Sequence, residues 1–296
     1  VAKGAGFEPI VGIAPVRGTA SLLSVARALP PGARWGSGIA WRPLVTCGAG
    51  DAGPAYRREF CASGDMEGLD DDTPTSRVAF YPYDVYLPYE CDWVLPDGPE
   101  GEPAFTQASL AALDAASAWH VSRELMVGDT EDENPSLVST ASDISEATPV
   151  HPVRAVGLLL DAWSACTQQS GDGRNGPIIH AAPSVVTDLL AHGVVAQIGD
   201  VLHGPVGSLV SPGPGYPLAA VPDDGEDGDE DAWVYISGPV EYALSAPEVA
   251  VGDVLNNPRL NKYLDWALRQ AIHRFDPCCV FAIAVQAPTY ANELPA

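Results

Sequence analysis

Hydrophobic spacing changes along this chain, and each change predicts a different element. Residues 1–33 mix short apolar runs with Gly and Pro and end in LPPGARWGSG, the pattern of an extended arm around one short helical piece, ASLLSVARAL. From Trp35 to about Asp72, two Trp, two Cys and a closing acidic cluster, GDMEGLDDDTP, show no helical period. A long excursion of this kind reads as a β-hairpin with a polar tip. In VAFYPYDVYLPYECDWV, Tyr81, Tyr83, Val85, Leu87 and Tyr89 alternate and can line one strand face. Pro82 and Pro88 each remove a ladder donor and push that strand to an edge. Such an aromatic row can bind a sugar, but aromatics favour strands and subunit contacts in general, so packing is the preferred reading.

Thr106 can cap a helix running through QASLAALDAASAWHVSRELMV, with Leu110, Leu113, Ser117, Val121 and Leu125 at three- and four-residue steps. Gly128 stands where a C-terminal cap belongs. The spacing predicts a rod over 105–128, about 33 Å long. An acidic connection rich in Ser and Thr follows, and from Val153 helices and strands alternate. Val153, Val156, Leu160, Trp163 and Cys166 mark a helix closed near Gly171; GPIIHA is a strand; Pro183 opens a helix through SVVTDLLAHG. GSLV, WVYISG and VEYAL read as further strands. Leu260, Leu264, Leu268, Ile272 and Phe275 predict a final helix opened by Pro258, and CCVFAIAV a buried strand that returns to the first region and closes its sheet.

Composition narrows the class. The 296 residues are 46% hydrophobic and 18% charged, which fits a globular chain despite 29 Gly and 28 Pro. No apolar run approaches the length of a membrane span, and the first residues do not resemble a signal peptide, so a soluble protein is expected. The formal charge of −24 comes from 39 acids against 15 bases, of which only Lys3 and Lys262 are lysines. That surface repels a phosphate backbone, although it suits a wall that DNA touches without sticking.

Candidate chemistry is sparse. Cys47, Cys61, Cys91, Cys166, Cys278 and Cys279 show no zinc spacing; structural thiols are expected, with a disulfide among Cys47, Cys61 and Cys91 left open. Adjacent Cys278 and Cys279 read as small core residues of a strand. The acidic runs after Asp129 and at 223–233 lack the glycine and glutamate positions of a calcium loop and read as solvated loops. The nucleophile elbow, P-loop, dinucleotide glycines and paired zinc histidines are absent, and none of the six histidines is spaced as a metal pair on a helix. His180, in an apolar strand before a helix, is the one suggestive histidine, with a satisfied buried residue as the preferred reading. His120 and Glu124 can pair across a helical turn. A glycosidase needs two carboxylates at a defined separation, which 39 acids cannot single out. No catalytic, cofactor-binding or metal residue is therefore expected.

The order of motifs carries more than any single one. A spine helix ending in ELMVGD with ENPSL after it, then GPIIHAAPSVVTDLL, GSLVSPGPGY and RQAIHRFDPCCVFAI, resembles the major capsid protein of tailed bacteriophages, a fold shared with encapsulin shells. The resemblance implies an α+β capsid fold with an N-terminal arm at 1–34 and an extended loop at 35–79. It further implies a peripheral domain with the spine helix at 80–152 and 255–296, and an axial domain at 153–254. It implies a protein that self-assembles into an icosahedral shell around the double-stranded DNA of a tailed phage, found in the virion and assembled in the bacterial host cytoplasm. Partners would be copies of itself in hexamers and pentamers, with decoration or portal proteins, no membrane, and packaged DNA against the inner wall. Alternatives are another virion protein of the tail or head completion, an encapsulin-like compartment, or a hydrolase or glycan-binding domain. Some capsids of this fold cross-link a loop lysine to a neighbour's asparagine; no lysine lies between residues 4 and 261 here, so that cross-link does not carry over.

Overall fold

The computed structural model describes residues 21–29, 39–41, 78–91, 101–128, 134–146, 148–167, 176–223, 232–251 and 263–288. The chain opens with a single helical turn, α1 (Leu22–Val25), then β1 (Arg27–Ala28), β2 (Ile39–Trp41), β3 (Val78–Phe80) and β4 (Tyr83–Cys91). The long helix α2 (Gly101–Val127) leads to α3 (Leu137–Thr140), β5 (Ser142–Asp143) and α4 (Pro152–Thr167). Then come β6 (Ile178–Ala181), α5 (Pro183–Ala191), β7 (Ala196–Ile198), β8 (Val201–His203), β9 (Leu209–Pro212), β10 (Ala232–Ser237), β11 (Glu241–Leu244) and β12 (Glu248–Val251). The chain finishes with β13 (Tyr263–Arg274) and β14 (Phe281–Val285). Almost all of the predicted excursion at 35–79 lies outside the described residues, β2 and the start of β3 excepted.

Two compact units divide the chain; one draws on Asp84–Ser117 and Ser245–Gln270, the other on Ala20–Tyr83, Ala118–Leu244 and Ala271–Ala296. α2 and β13 supply residues to both. In the first unit β12 pairs antiparallel with β13 from Glu248↔Leu268 to Val251↔Asp265. The guanidinium of Arg269, only 7% exposed, reaches Asp114 on α2 at 2.5 Å and ties strand to helix.

The second unit is built on a seven-stranded sheet, ordered β5-β14-β10-β6-β9-β8-β7. β10, third in that order, is antiparallel to both β14 and β6 and buried at every residue. α4 and α5 cover one face: Val156, Leu159 and Trp163 of α4 join Val185, Val186 and Leu189 of α5 over Ile179, Val234, Ile236 and Ile283. Each such buried side chain contributes about 1.5–3 kcal/mol through the area it removes from water. Pro183 opens α5, where its missing N–H costs nothing, and His192 and Gly193 (φ +70°) close it. β14 takes its place between β10 of the middle segment and β5.

α2 starts earlier than the Thr106 cap predicts, at Gly101, because Pro103 fits the first helical turn. Its end is as expected: Gly128 adopts φ +66° and its N–H reaches the Glu124 carbonyl at 2.9 Å. Of the predicted stripe, Leu113, Ser117, Val121 and Leu125 are buried, while Ser109 takes the buried place expected of Leu110. Ser117 and Ser122 bury without penalty by donating to the carbonyls four residues back, each at 2.7 Å.

Two expectations are corrected. The predicted final helix is β13, a twelve-residue strand. Leu264, Leu268 and Ile272 recur every fourth position, a spacing that suits a strand face as well as a helix face. The pairing partners decide: β11 and β12 bind one length of it each, and β4 pairs with it too. Ala267, Arg269, Ala271 and His273 line one buried face of it, and Ile272 is buried on the other. Second, Cys279 is buried in the core as expected, but it is neither a free thiol nor part of a strand. It lies in the 3-10 turn Pro277–Cys279 and forms a disulfide with Cys166 in the last turn of α4, closing 113 residues of chain.

Candidate functional site

His180 sits mid-way along β6 with none of its surface exposed, and its surroundings determine what it can do. Its Nε2 is 2.8 Å from the Ser237 hydroxyl of β10, and its Nδ1 is 2.9 Å from the Tyr216 hydroxyl. Ser237 donates its own proton to the Gly238 carbonyl at 2.8 Å, so it accepts from Nε2–H. Nδ1 then accepts from the Tyr216 hydroxyl, whose oxygen in turn accepts from Ser211 at 3.2 Å. Burial pushes the imidazole down to about 3 and the Tyr216 phenol up. Every donor in this chain of groups has a partner, and the ring is neutral. A serine activated by histidine would need its proton on the imidazole and its oxygen open to substrate; Ser237 has neither. The network pins β6, β9 and β10 to the turn at 213–216.

That turn packs closely on α2. A Cβ added at Gly215 would stand 2.4 Å from the Trp119 carbonyl oxygen and 2.9 Å from the Arg123 nitrogen. Nearby in sequence, the His120 ring meets Trp119 edge-on at 4.9 Å, and partial burial lowers its affinity for a proton. Glu124 is buried, as a residue facing inward on this helix must be.

A second buried histidine escaped the sequence reading. His273 of β13 lies among Phe80, Tyr83 and Phe275, edge-on to the first two and stacked on the third. The Tyr83 hydroxyl is 3.3 Å from its Nδ1. Burial pushes His273 down to about 4, against a smaller upward pull from the Pro135 carbonyl. Tyr83 is raised by burial first and by the charge of Glu124 second. The predicted aromatic row is not continuous: Tyr83 and Val85 are buried, Tyr81 precedes the strand and is 47% exposed, and Tyr86 is exposed on the alternate face. No shared sugar-stacking face results from these residues.

The acidic runs at 129–133 and 224–231 lie outside the described residues. Among the described residues, one group of three side chains could hold a metal: His151, Asp188 and His192, whose ligand atoms all lie within 4.8 Å of one another. No described helix is long and apolar enough to cross a membrane.

No family model and no curated protein matches the chain. Solved structures do. The capsid of a native GTA particle aligns over 97% of this chain and 96% of its own, at 13% identity and a TM-score of 0.53. The holo-SrpI encapsulin complex from Synechococcus elongatus PCC 7942 aligns over 97% and 94%, at 9% identity and 0.52. The fold is that of phage-type capsids and encapsulin shells. A chain of Mycobacterium phage Ogopogo shares it over 96% of both chains, at 12% identity and a TM-score of 0.51. In this chain the His180 network ties strands of the sheet together, and Gly128 marks the end of the long helix.

Proposed function

We propose that this chain is the major capsid protein of a tailed bacteriophage, self-assembling into an icosahedral head shell around double-stranded DNA. The observation that carries the reading is the match over nearly the full length of both chains to the capsid of a native GTA particle. The composition supports it: a wall with a formal charge of −24 lets packaged DNA slide without gripping it. On this reading 1–34 is the arm, 35–79 the extended loop, 80–152 and 255–296 the peripheral domain, and 153–254 the axial domain meeting at capsomer centres. Ile198 and Val206, 65% and 72% exposed, are apolar surface that neighbouring copies would cover. The chain is not an enzyme on this reading; its partners are copies of itself, with portal or decoration proteins, and it resides in the virion after assembly in the host cytoplasm.

A second reading, an encapsulin-like compartment, is favoured by the equally extensive match to the encapsulin complex. Electron microscopy of the purified full-length protein tests both. Closed shells are expected, and dispersed monomers at assembly concentrations would overturn either reading. Nuclease-protected DNA inside shells recovered from the native source supports the phage head; a protein cargo supports the compartment.

A further inference from the structure

His151 stands immediately before α4, while Asp188 and His192 are one turn apart at the end of α5, so three donors separated by up to 41 positions meet at one edge of the helical layer. The two imidazole rings face each other edge-on, centroids 4.9 Å apart and 79° between planes. The carboxylate oxygen of Asp188 lies 3.5 Å from the Nδ1 side of the His192 ring, so it must swing to the Nε2 side to share a metal with that ring. Tetrahedral zinc with bonds of about 2.0–2.1 Å needs ligand atoms roughly 3.4 Å apart, and here they lie within 4.8 Å. Rotation of exposed side chains closes that gap without moving either helix.

The hydrogen bonds around the group treat its two imidazoles differently. His192 Nδ1 is 2.9 Å from the Asp188 backbone carbonyl, an atom that can only accept. The ring therefore carries its proton on Nδ1 and presents the Nε2 lone pair, the arrangement by which a backbone carbonyl orients a metal-binding imidazole. His151 Nδ1 accepts from the Val153 N–H at 3.2 Å, which places that ring's proton on Nε2; the bond is exposed at the start of a helix, so water can replace it and free a nitrogen lone pair for a metal. Two borderline nitrogens and one carboxylate select zinc, nickel or cobalt over calcium or magnesium, which prefer all-oxygen shells.

We propose that His151, Asp188 and His192 form a divalent transition-metal site that clamps the start of α4 to the end of α5. Three protein ligands leave a fourth position to water. The net charge of −24 concentrates cations near the surface but does not distinguish this site, so the selectivity must come from the imidazoles.

Titration of tag-free full-length protein with zinc chloride, followed by calorimetry, tests this. One saturable equivalent per chain is expected, and cobalt should give the intense visible absorption of a tetrahedral site. His151→Ala and His192→Ala should each weaken zinc binding at least tenfold and abolish the cobalt band. Calcium binding to the acidic surface should be unchanged. Both histidines are exposed, so thermal melts of the variants without metal should match the parent and show that folding is intact. No saturable zinc binding by the parent, or equal binding by His192→Ala, overturns the site.

Discussion

The side-chain amide of Asn134 pairs with both backbone groups of Tyr81: its Oδ1 accepts from the Tyr81 N–H at 2.7 Å and its Nδ2 donates to the Tyr81 carbonyl at 3.0 Å. This is the pattern of one more strand residue, supplied by a side chain where Pro82 interrupts the regular strands on either side. Asn134 is 8% exposed, so water cannot easily substitute. Asn134→Ala should cost about 1–3 kcal/mol by stranding these groups. Asn134→Asp should cost a similar amount, because a carboxylate cannot donate to the carbonyl. Urea unfolding of the two variants checks this; a change within about 0.5 kcal/mol for both would show the bond pair to be dispensable.

Acid should weaken the fold through its two buried histidines. His180 is held at about 3 and His273 at about 4, both below the ordinary value of 6.5. Unfolding restores that ordinary value, so below about pH 6.5 the unfolded chain binds more protons than the folded one. The contribution is fully present above pH 6.5 and is lost as pH falls toward the folded values. Each histidine adds a slope of about 1.4 kcal/mol per pH unit in that window. His180→Gln should melt lower at pH 7.5 yet show a shallower fall in Tm between pH 6.5 and 5. Parallel falls for parent and variant would exclude His180 as a source of the slope.

Those two histidines also mark where sequence was and was not sufficient. His180 lies in a short apolar strand buried at all four residues, so burial was legible, but its partners Tyr216 and Ser237 come from 36 and 57 residues away. α4 and α5 were legible because an amphipathic face of period 3.6 has no other explanation. β13 was not, because a four-residue repeat serves both periods and the strands that decide between them sit elsewhere in the chain. The Cys166–Cys279 bridge spans 113 residues, and cysteine pairing at such separation leaves no trace in spacing. The His151, Asp188 and His192 group is invisible for the same reason: the helices align it, not the sequence.

Exposed apolar surface gives the proposed assembly a direct handle. Ile198, at the end of β7, and Val206, beyond β8, bury little in the single chain. Ile198→Asp and Val206→Asp should therefore leave the stability of the isolated subunit within about 0.5 kcal/mol. If these residues meet neighbours, each should sharply reduce the yield of closed shells counted in micrographs. Wild-type yields from both variants would remove this end of the sheet from the subunit contacts.

Two glycines should respond to alanine with opposite signs. At Gly215 the new methyl would stand 2.4 Å from the Trp119 carbonyl oxygen, 2.9 Å from the Arg123 nitrogen and 3.0 Å from the Arg123 Cβ. The first two are backbone atoms held in α2 by that helix's own hydrogen bonds, so they cannot yield as a flexible side chain would. The turn at 213–216 must lift instead, carrying Tyr216 away from His180. Gly215→Ala should cost several kcal/mol by this route, on the order of a core overpacking with loss of a buried hydrogen bond. Gly157 lies in the interior of α4 with nothing within 4 Å of its notional Cβ. Gly157→Ala should gain about 0.5–1 kcal/mol from helix propensity alone. Thermal melts of the pair measure both at once: a lower Tm for the first and a higher one for the second are expected. Equal tolerance at both positions would mean that the 213–216 turn does not bear on α2 as closely as its geometry requires.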